Sequence, residues 1–250
     1  MTDSLFSLTL LALVFILAGL VKGVIGMGLP TIAIGLLGLM IAPVEAAAML
    51  VLPSLVTNIW QLISGPDFLP LLKRFKNLLI GICLGTPLGV SFIVSGQTAI
   101  VTAGLGIVLM AYGLYGLSAA RLQVAARTES WLTPVIGVLT GIISGATGIA
   151  ALPMAPYFTA LELKRDELIQ ALGLSFTVAS IALAIGLWIT GEFLVEIATI
   201  SVLALIPALA GMFLGQYIRK KIPQEKFRRY FFLSLVLLGA GTAYRAASLI

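Results

Sequence analysis

Lys22-Gly23-Val24-Ile25-Gly26-Met27-Gly28-Leu29-Pro30 interrupts an apolar run that otherwise extends from 5 to 41. A second run, 132–160, is interrupted in the same manner by Ser144-Gly145-Ala146-Thr147-Gly148-Ile149-Ala150-Ala151-Leu152-Pro153. About 20 apolar residues cross a bilayer. Each run is longer than that and carries glycine and proline in its middle, so neither fits one helix. The two interruptions match. Gly19, Gly23 and Gly26 lie 122 positions before Gly141, Gly145 and Gly148, and Pro30 and Pro153 follow with a one-residue slip. Glu45 and Glu167, each opening the next span, keep the same offset. Further on, Pro87 in Gly85-Thr86-Pro87-Leu88-Gly89 is echoed by Pro207 in Ile206-Pro207-Ala208-Leu209-Ala210-Gly211. The chain reads as two tandem copies, about 1–120 and 129–250, within a single membrane domain.

Composition makes lipid the solvent. The 250 residues are 60% hydrophobic and 10% charged, against about 25% charged in a soluble domain. Long spans fall at roughly 45–63, 77–95, 98–118, 166–190, 194–216 and 229–249. With the two interrupted stretches, the expected fold is all-α: a polytopic membrane protein of about eight transmembrane helices plus two broken, re-entrant hairpin segments. The opening span is apolar enough for a signal peptide. However, Met1-Thr2-Asp3-Ser4 carries no Lys or Arg and no A-x-A-like site follows, so it reads as mature chain. There is no His, the commonest general base and metal ligand, and Cys83 is the single cysteine. The expectation is therefore no catalytic dyad, no metal and no cofactor. The net charge of +5 reads as basic loops between spans, not as a nucleic-acid surface.

Charge sets the topology. Counting each interrupted stretch as one crossing places Lys73, Arg74 and Lys76 opposite the cluster Arg219, Lys220, Lys221, Lys226, Arg228 and Arg229, against the positive-inside bias. If each stretch turns back instead, those residues share one face with Arg121, Arg127, Lys164 and Arg165. Only Arg245 then lies on the other face, with Glu192 and Glu196, while Lys22 lies in the first interruption. This arrangement inverts the two copies and makes both termini external and the basic loops cytoplasmic. Hairpin arms of about 14–17 residues would span about 21–26 Å, which puts the turning points inside the membrane or near its far edge.

Inverted repeats with broken helices bind substrate where the breaks meet. A break exposes amide N–H groups and the positive end of a helix dipole, which favour an anion. Gly23, Gly26 and Gly28, with Gly145 and Gly148, let a ligand approach bare backbone. Equally, such glycines let helices pack closely. Ser144 and Thr147 add hydroxyls and Lys22 adds a cation, with interfacial snorkelling as its alternative. No carboxylate lies in either break, so an anion fits better than a cation. Asn58, on the helix after the first break, is a further ligand candidate or an interhelical bond. Gln61, Gln170 and Ser175 are polar groups of the same kind. Glu45 and Glu167 read as helix-start residues or as proton carriers. Trp131 and Trp188 read as interfacial anchors. The glycine run 23–28 is neither a Walker motif nor a dinucleotide fingerprint, so transport would be secondary or passive.

The duplicated apolar-Gly-x-x-x-Gly-x-x-Gly-x-Gly-x-Pro pattern at 19–30, its degenerate copy at 141–153, the Glu45 and Glu167 helix starts and the chain size resemble the sulfite exporter TauE/SafE family (4-toluene sulfonate uptake permeases) over nearly the whole chain. The second copy departs from the glycine-rich form at Ile149, Ala150 and Ala151. The resemblance implies a transporter of the bacterial inner membrane, linked to sulfur-containing anions such as sulfite or sulfonates. The expected partners are a small anion and the lipid bilayer, with self-association into a homo-oligomer left open. The alternatives are a passive anion channel and a membrane-embedded subunit without transport activity of its own.

Overall fold

The computed structural model describes residues 2–66, 68–118, 123–193, 195–221 and 224–249. Within them the chain forms α1 (Thr2–Ile25), α2 (Leu29–Leu37), α3 (Pro43–Ile63), α4 (Phe68–Ile93), α5 (Thr98–Leu117), α6 (Ala126–Thr147), α7 (Met154–Ala160), α8 (Arg165–Ile189), α9 (Val195–Arg219) and α10 (Gln224–Ala247). Eight of these are long and apolar enough to cross a membrane. The other two, α2 and α7, are the return arms that follow the two breaks.

The order long–short–long–long–long occurs twice, and glycine packing fixes the direction of each helix. Gly19 and Gly23 sit where a Cβ would collide with the carbonyls of Ala208 and Met212, so α1 and α9 run parallel. Gly141 and Gly145 meet the carbonyls of Ile82 and Thr86 in the same way, so α6 runs parallel to α4. The two remaining pairs are antiparallel. In one, Gly106 lies against Gly239 and Ala243 while Gly113 lies against Phe232 and Val236, joining α5 to α10. In the other, Asn58 meets Ser180 while Gln61 meets Ile169, joining α3 to α8. Equivalent helices that pair antiparallel are what a two-fold axis in the membrane plane produces.

α2 follows α10 upward, with Gly28 against Phe231, Gly35 against Leu238 and Gly38 against Thr242. It therefore carries the chain back to the face where α1 began. Arg245 ends this arm. Its Nη1 donates to the carbonyls of Gly38 and Ile41, 2.6 Å each, satisfying acceptors that a helix C-terminus leaves without partners. Arg245, the one Lys or Arg on that face among the described residues, thus has a structural task. α7 returns the second arm: the Tyr157 hydroxyl meets Thr133 and the Ala160 carbonyl accepts from the Val124 amide.

With these directions, the start of α1 and the end of α10 share one face. The starts of α4, α6, α8 and α10 and the end of α9 share the other, which holds every Lys and Arg of the described residues except Lys22 and Arg245. Arg121, Met1 and Ile250 lie outside the described residues.

Three expectations need correction. The breaks are narrower than 22–30 and 144–153: α1 stays helical through Lys22 to Ile25 and α6 through Thr147, because Gly23 and Gly145 are held in helix by close packing on α9 and α4. The arms are unequal. α1 and α6 have 24 and 22 residues, about 36 and 33 Å at 1.5 Å per residue, and only the return arms α2 and α7, of 9 and 7 residues, are short. Finally, Pro87 and Pro207 are not equivalent. The contacts of Gly23 and Gly145 equate Met212 with Thr86 and Gln216 with Val90, an offset of 126. The change from 122 to 126 is one helical turn: α8 has 25 residues where α3 has 21.

Candidate functional site

The two breaks use glycine for a conformational reason. Gly28 caps α2 at φ 106° and Gly148 ends α6 at φ 73°, in the left-handed region that costs other residues about 1–2 kcal/mol. Both glycines line one narrow, mostly apolar cavity of about 30 Å³, enclosed by α2, α3, α8 and the second break. Its polar lining is Thr31, Ser54, Asn58, Ser144 and Ser180. Ser54 Oγ is buried and has no hydrogen-bond partner, a polar atom whose burial is compensated once a ligand bonds to it. The first turn of α2 points its amide end at the same space, and Pro30 stands there without costing a helix bond.

Lys22 lies below this cavity on α1 and is only 3% exposed. Its Nζ donates to Thr57 Oγ1 at 3.0 Å and, more closely, to Asn58 Oδ1. Asn58 in turn donates through Nδ2 to Ser180 Oγ at 3.2 Å. Asn58 and Ser180 are 122 apart, so this bond joins two equivalent residues across the local two-fold. Lys22 also borders a second cavity of about 300 Å³, with Gly23, Gly26, Trp60, Gln61, Ser64, Gly65, Pro66, Asp166, Ile169, Met212, Gln216 and Arg219. Ser64, Pro66 and Asp166 are exposed, which opens this vestibule to the basic face. The Lys22–Asn58 contact is therefore the partition between vestibule and central cavity.

On the opposite face the opening between α4 and α8 is a mostly apolar groove of about 440 Å³, lined by Val90 and Gly186 among others. The equivalents of Gln61, Gln216 and Arg219 are Leu183, Val90 and Ile93, which are buried. A Cβ on Gly186 would come within 2.8 Å of the Val90 side chain. The halves thus share one scaffold but not one conformation.

The other sequence candidates distribute as follows. Gly28, Asn58, Ser144 and Gly148 meet at the central cavity, and Lys22, Gly23 and Gly26 border the vestibule. Gly145 lies in the α4–α6 contact. Thr147 Oγ1 donates to the Ile143 carbonyl and accepts from the Ile149 amide, capping the end of α6. Glu45 is exposed in the first turn of α3, and Glu167 accepts from the Lys164 backbone amide, capping the start of α8. Gln61 and Gln170 clamp α3 to α8 through the carbonyls of Ile169 and Leu62. Ser175 Oγ is buried without a partner away from the cavity. Sequence reasoning missed Ser54, Thr57, Ser180 and Arg219. The 122 offset from Asn58 was the available signal for Ser180. Among the described residues no group of His, Cys, Asp and Glu could hold a metal ion.

Residues 11–242 match the family model described as Sulfite exporter TauE/SafE. The chain belongs to the sulfite exporter TauE/SafE family. No curated protein and no solved structure matches it. Membership makes this TauE/SafE chain a multi-pass membrane transport protein of an anion-exporting family, consistent with its eight spans and with breaks that offer amides instead of carboxylates.

Proposed function

We propose that this TauE/SafE protein is a secondary transporter that moves a small sulfur-containing anion, such as sulfite or a sulfonate, by alternating access. The repeats, about 1–120 and 129–250, rock against each other about the Asn58–Ser180 contact. The observation that carries this reading is the asymmetry of the halves. A polar vestibule stands open on the basic face, while the positions equivalent to its Gln61, Gln216 and Arg219 are apolar and buried on the other, beside an apolar groove between α4 and α8. Exchanging the two conformations would close the first and open the second. A channel would need both open together.

The anion is held in the central cavity by Lys22 and Asn58 below and Ser144 above, with Gly28 and Gly148 giving access to the amides of the two breaks. Ser54 supplies a hydroxyl with no competing partner. Lys22 is also the favoured proton carrier, because Glu45 is exposed and Glu167 is engaged in its own helix cap. The positive-inside bias puts the basic face in the cytoplasm of a bacterial inner membrane, with both termini external.

The test is sulfite counterflow in proteoliposomes. Unlabelled sulfite inside should accelerate uptake of labelled sulfite and drive transient accumulation. Flux without counterflow would identify a channel, and absence of sulfite or sulfonate flux would remove the substrate assignment.

A further inference from the structure

The central cavity is too small and too apolar to gather ions from solution, and the feature that could is the vestibule beneath it. We infer that the basic-face vestibule is a second anion-binding site, a loading site for small oxyanions held between Lys22 at its inner end and Arg219 at its mouth. This rests on the transporter reading only for its purpose, since the site itself stands on the vestibule's own residues. Lys22 is buried with neutral partners, Thr57 and Asn58. Among the described residues the one ion pair is between Arg74 and Glu129, on another part of the face. Gln61 and Gln216 line the wall between the two cations. One carboxylate, Asp166, also faces the vestibule, at its exposed rim. The two cations outnumber it, and the inner end carries Lys22 alone. A concave site with low-dielectric walls focuses such a field.

The repeat supplies the second half of the argument. Under the offsets of 122 and 126, the vestibule's charged and amide residues Lys22, Gln61, Asp166, Gln216 and Arg219 correspond to Ser144, Leu183, Val44, Val90 and Ile93. When the opposite vestibule opens it therefore presents no charge. The anion meets a cationic pocket on the basic face and a neutral one on the other. Lys22 serves both compartments on the basic side: an oxyanion in the vestibule competes with Asn58 for its ammonium, breaking the partition and admitting the ion to the central cavity.

Thiol labelling measures this without requiring transport. Cys83, the single native cysteine, is exposed and is first replaced by Ser. In Cys83→Ser, Ser64→Cys places a thiol in the vestibule. The protein in nanodiscs is treated with an anionic sulfonatoethyl or a cationic trimethylammonioethyl methanethiosulfonate. After correction for reaction with a free thiol, the anionic reagent should react roughly tenfold faster at low ionic strength, a preference that fades with added salt. Arg219→Gln should reduce it at least about threefold, Lys22→Gln should act in the same direction, and Asp166→Asn should enlarge it. Equal rates for the two reagents, or a preference unmoved by Arg219→Gln, would overturn the loading site. Preference without sulfite flux in vesicles would retain the site and remove the transporter reading. Flux without preference would do the reverse.

Discussion

Lys22 and Ser144 stand at the same place in the two halves of the molecule, 122 residues apart, and differ in nearly everything chemical. Both are buried, both lie on the helix that ends in a break, and both sit one turn before a glycine that turns the chain. Lys22 contributes a cation and borders the polar vestibule, whereas Ser144 contributes a hydroxyl and lines the small central cavity. The comparison separates two kinds of information in a duplicated protein. What is common to the halves, namely the glycine contacts of α1 with α9 and of α6 with α4, is architecture. What differs between them is directional chemistry.

The strongest way to break this division is through the shared part. Gly23 and Gly145 are equivalent, and each lies where a Cβ would enter the backbone of its partner helix. Gly23→Val and Gly145→Val should each abolish recovery of monodisperse protein or lower its thermal stability severely. Overpacking costs about 1–3 kcal/mol where side chains can yield, and here a backbone carbonyl must move. Size-exclusion profiles and thermal unfolding in detergent would measure it. A large effect at one glycine and none at the other would deny that the two contacts are equivalent.

The differing part should behave in the opposite way. Lys22→Met should cut sulfite transport roughly 10–100-fold, the range expected for losing hydrogen bonds to a charged group. Protein yield should stay near wild type, since no buried carboxylate is left without its partner. Ser144→Ala should cost less than about tenfold, as a neutral hydroxyl contributes about 0.5–1.5 kcal/mol. Initial rates normalised to folded protein separate the two. Equal losses would mean that the halves contribute alike and that the charge difference has no bearing on transport.

The same division explains what could be read from the sequence. The spans, the two breaks and the inversion were legible because apolar length, glycine and proline punctuation and the Lys/Arg bias are all one-dimensional signals. The span at 77–95 was read short: α4 begins at Phe68, and Lys73, Arg74 and Lys76 lie within its first turns, where snorkelling side chains let a helix extend past the apolar core. The roles of Gly23 and Gly145 in helix contacts needed the partner helices, far away in sequence. Ser54 and Ser180 were hidden because a serine inside an apolar helix carries no signal until its face is known. Arg219 was read as one of many loop cations, and only the extension of α9 as far as Arg219, which brings it to the vestibule, sets it apart.

The smallest effect belongs to the one place where the halves touch through equivalent side chains. Asn58 Nδ2 donates to Ser180 Oγ, and Asn58 Oδ1 holds Lys22. Ser180→Ala removes a neutral bond and leaves Lys22 with both acceptors, so thermal stability should fall by only about 0.5–1.5 kcal/mol, with transport changed less than about tenfold. Asn58→Ala should cost more on both counts, because the buried ammonium keeps Thr57 alone. The double substitution decides whether the bond itself matters. If the contact couples the halves, the effects on transport should be less than additive, since each single change already breaks it. Fully additive losses would mean that Asn58 acts only through Lys22, that Ser180 acts separately on the cavity wall, and that the pivot of the motion lies elsewhere along α3 and α8.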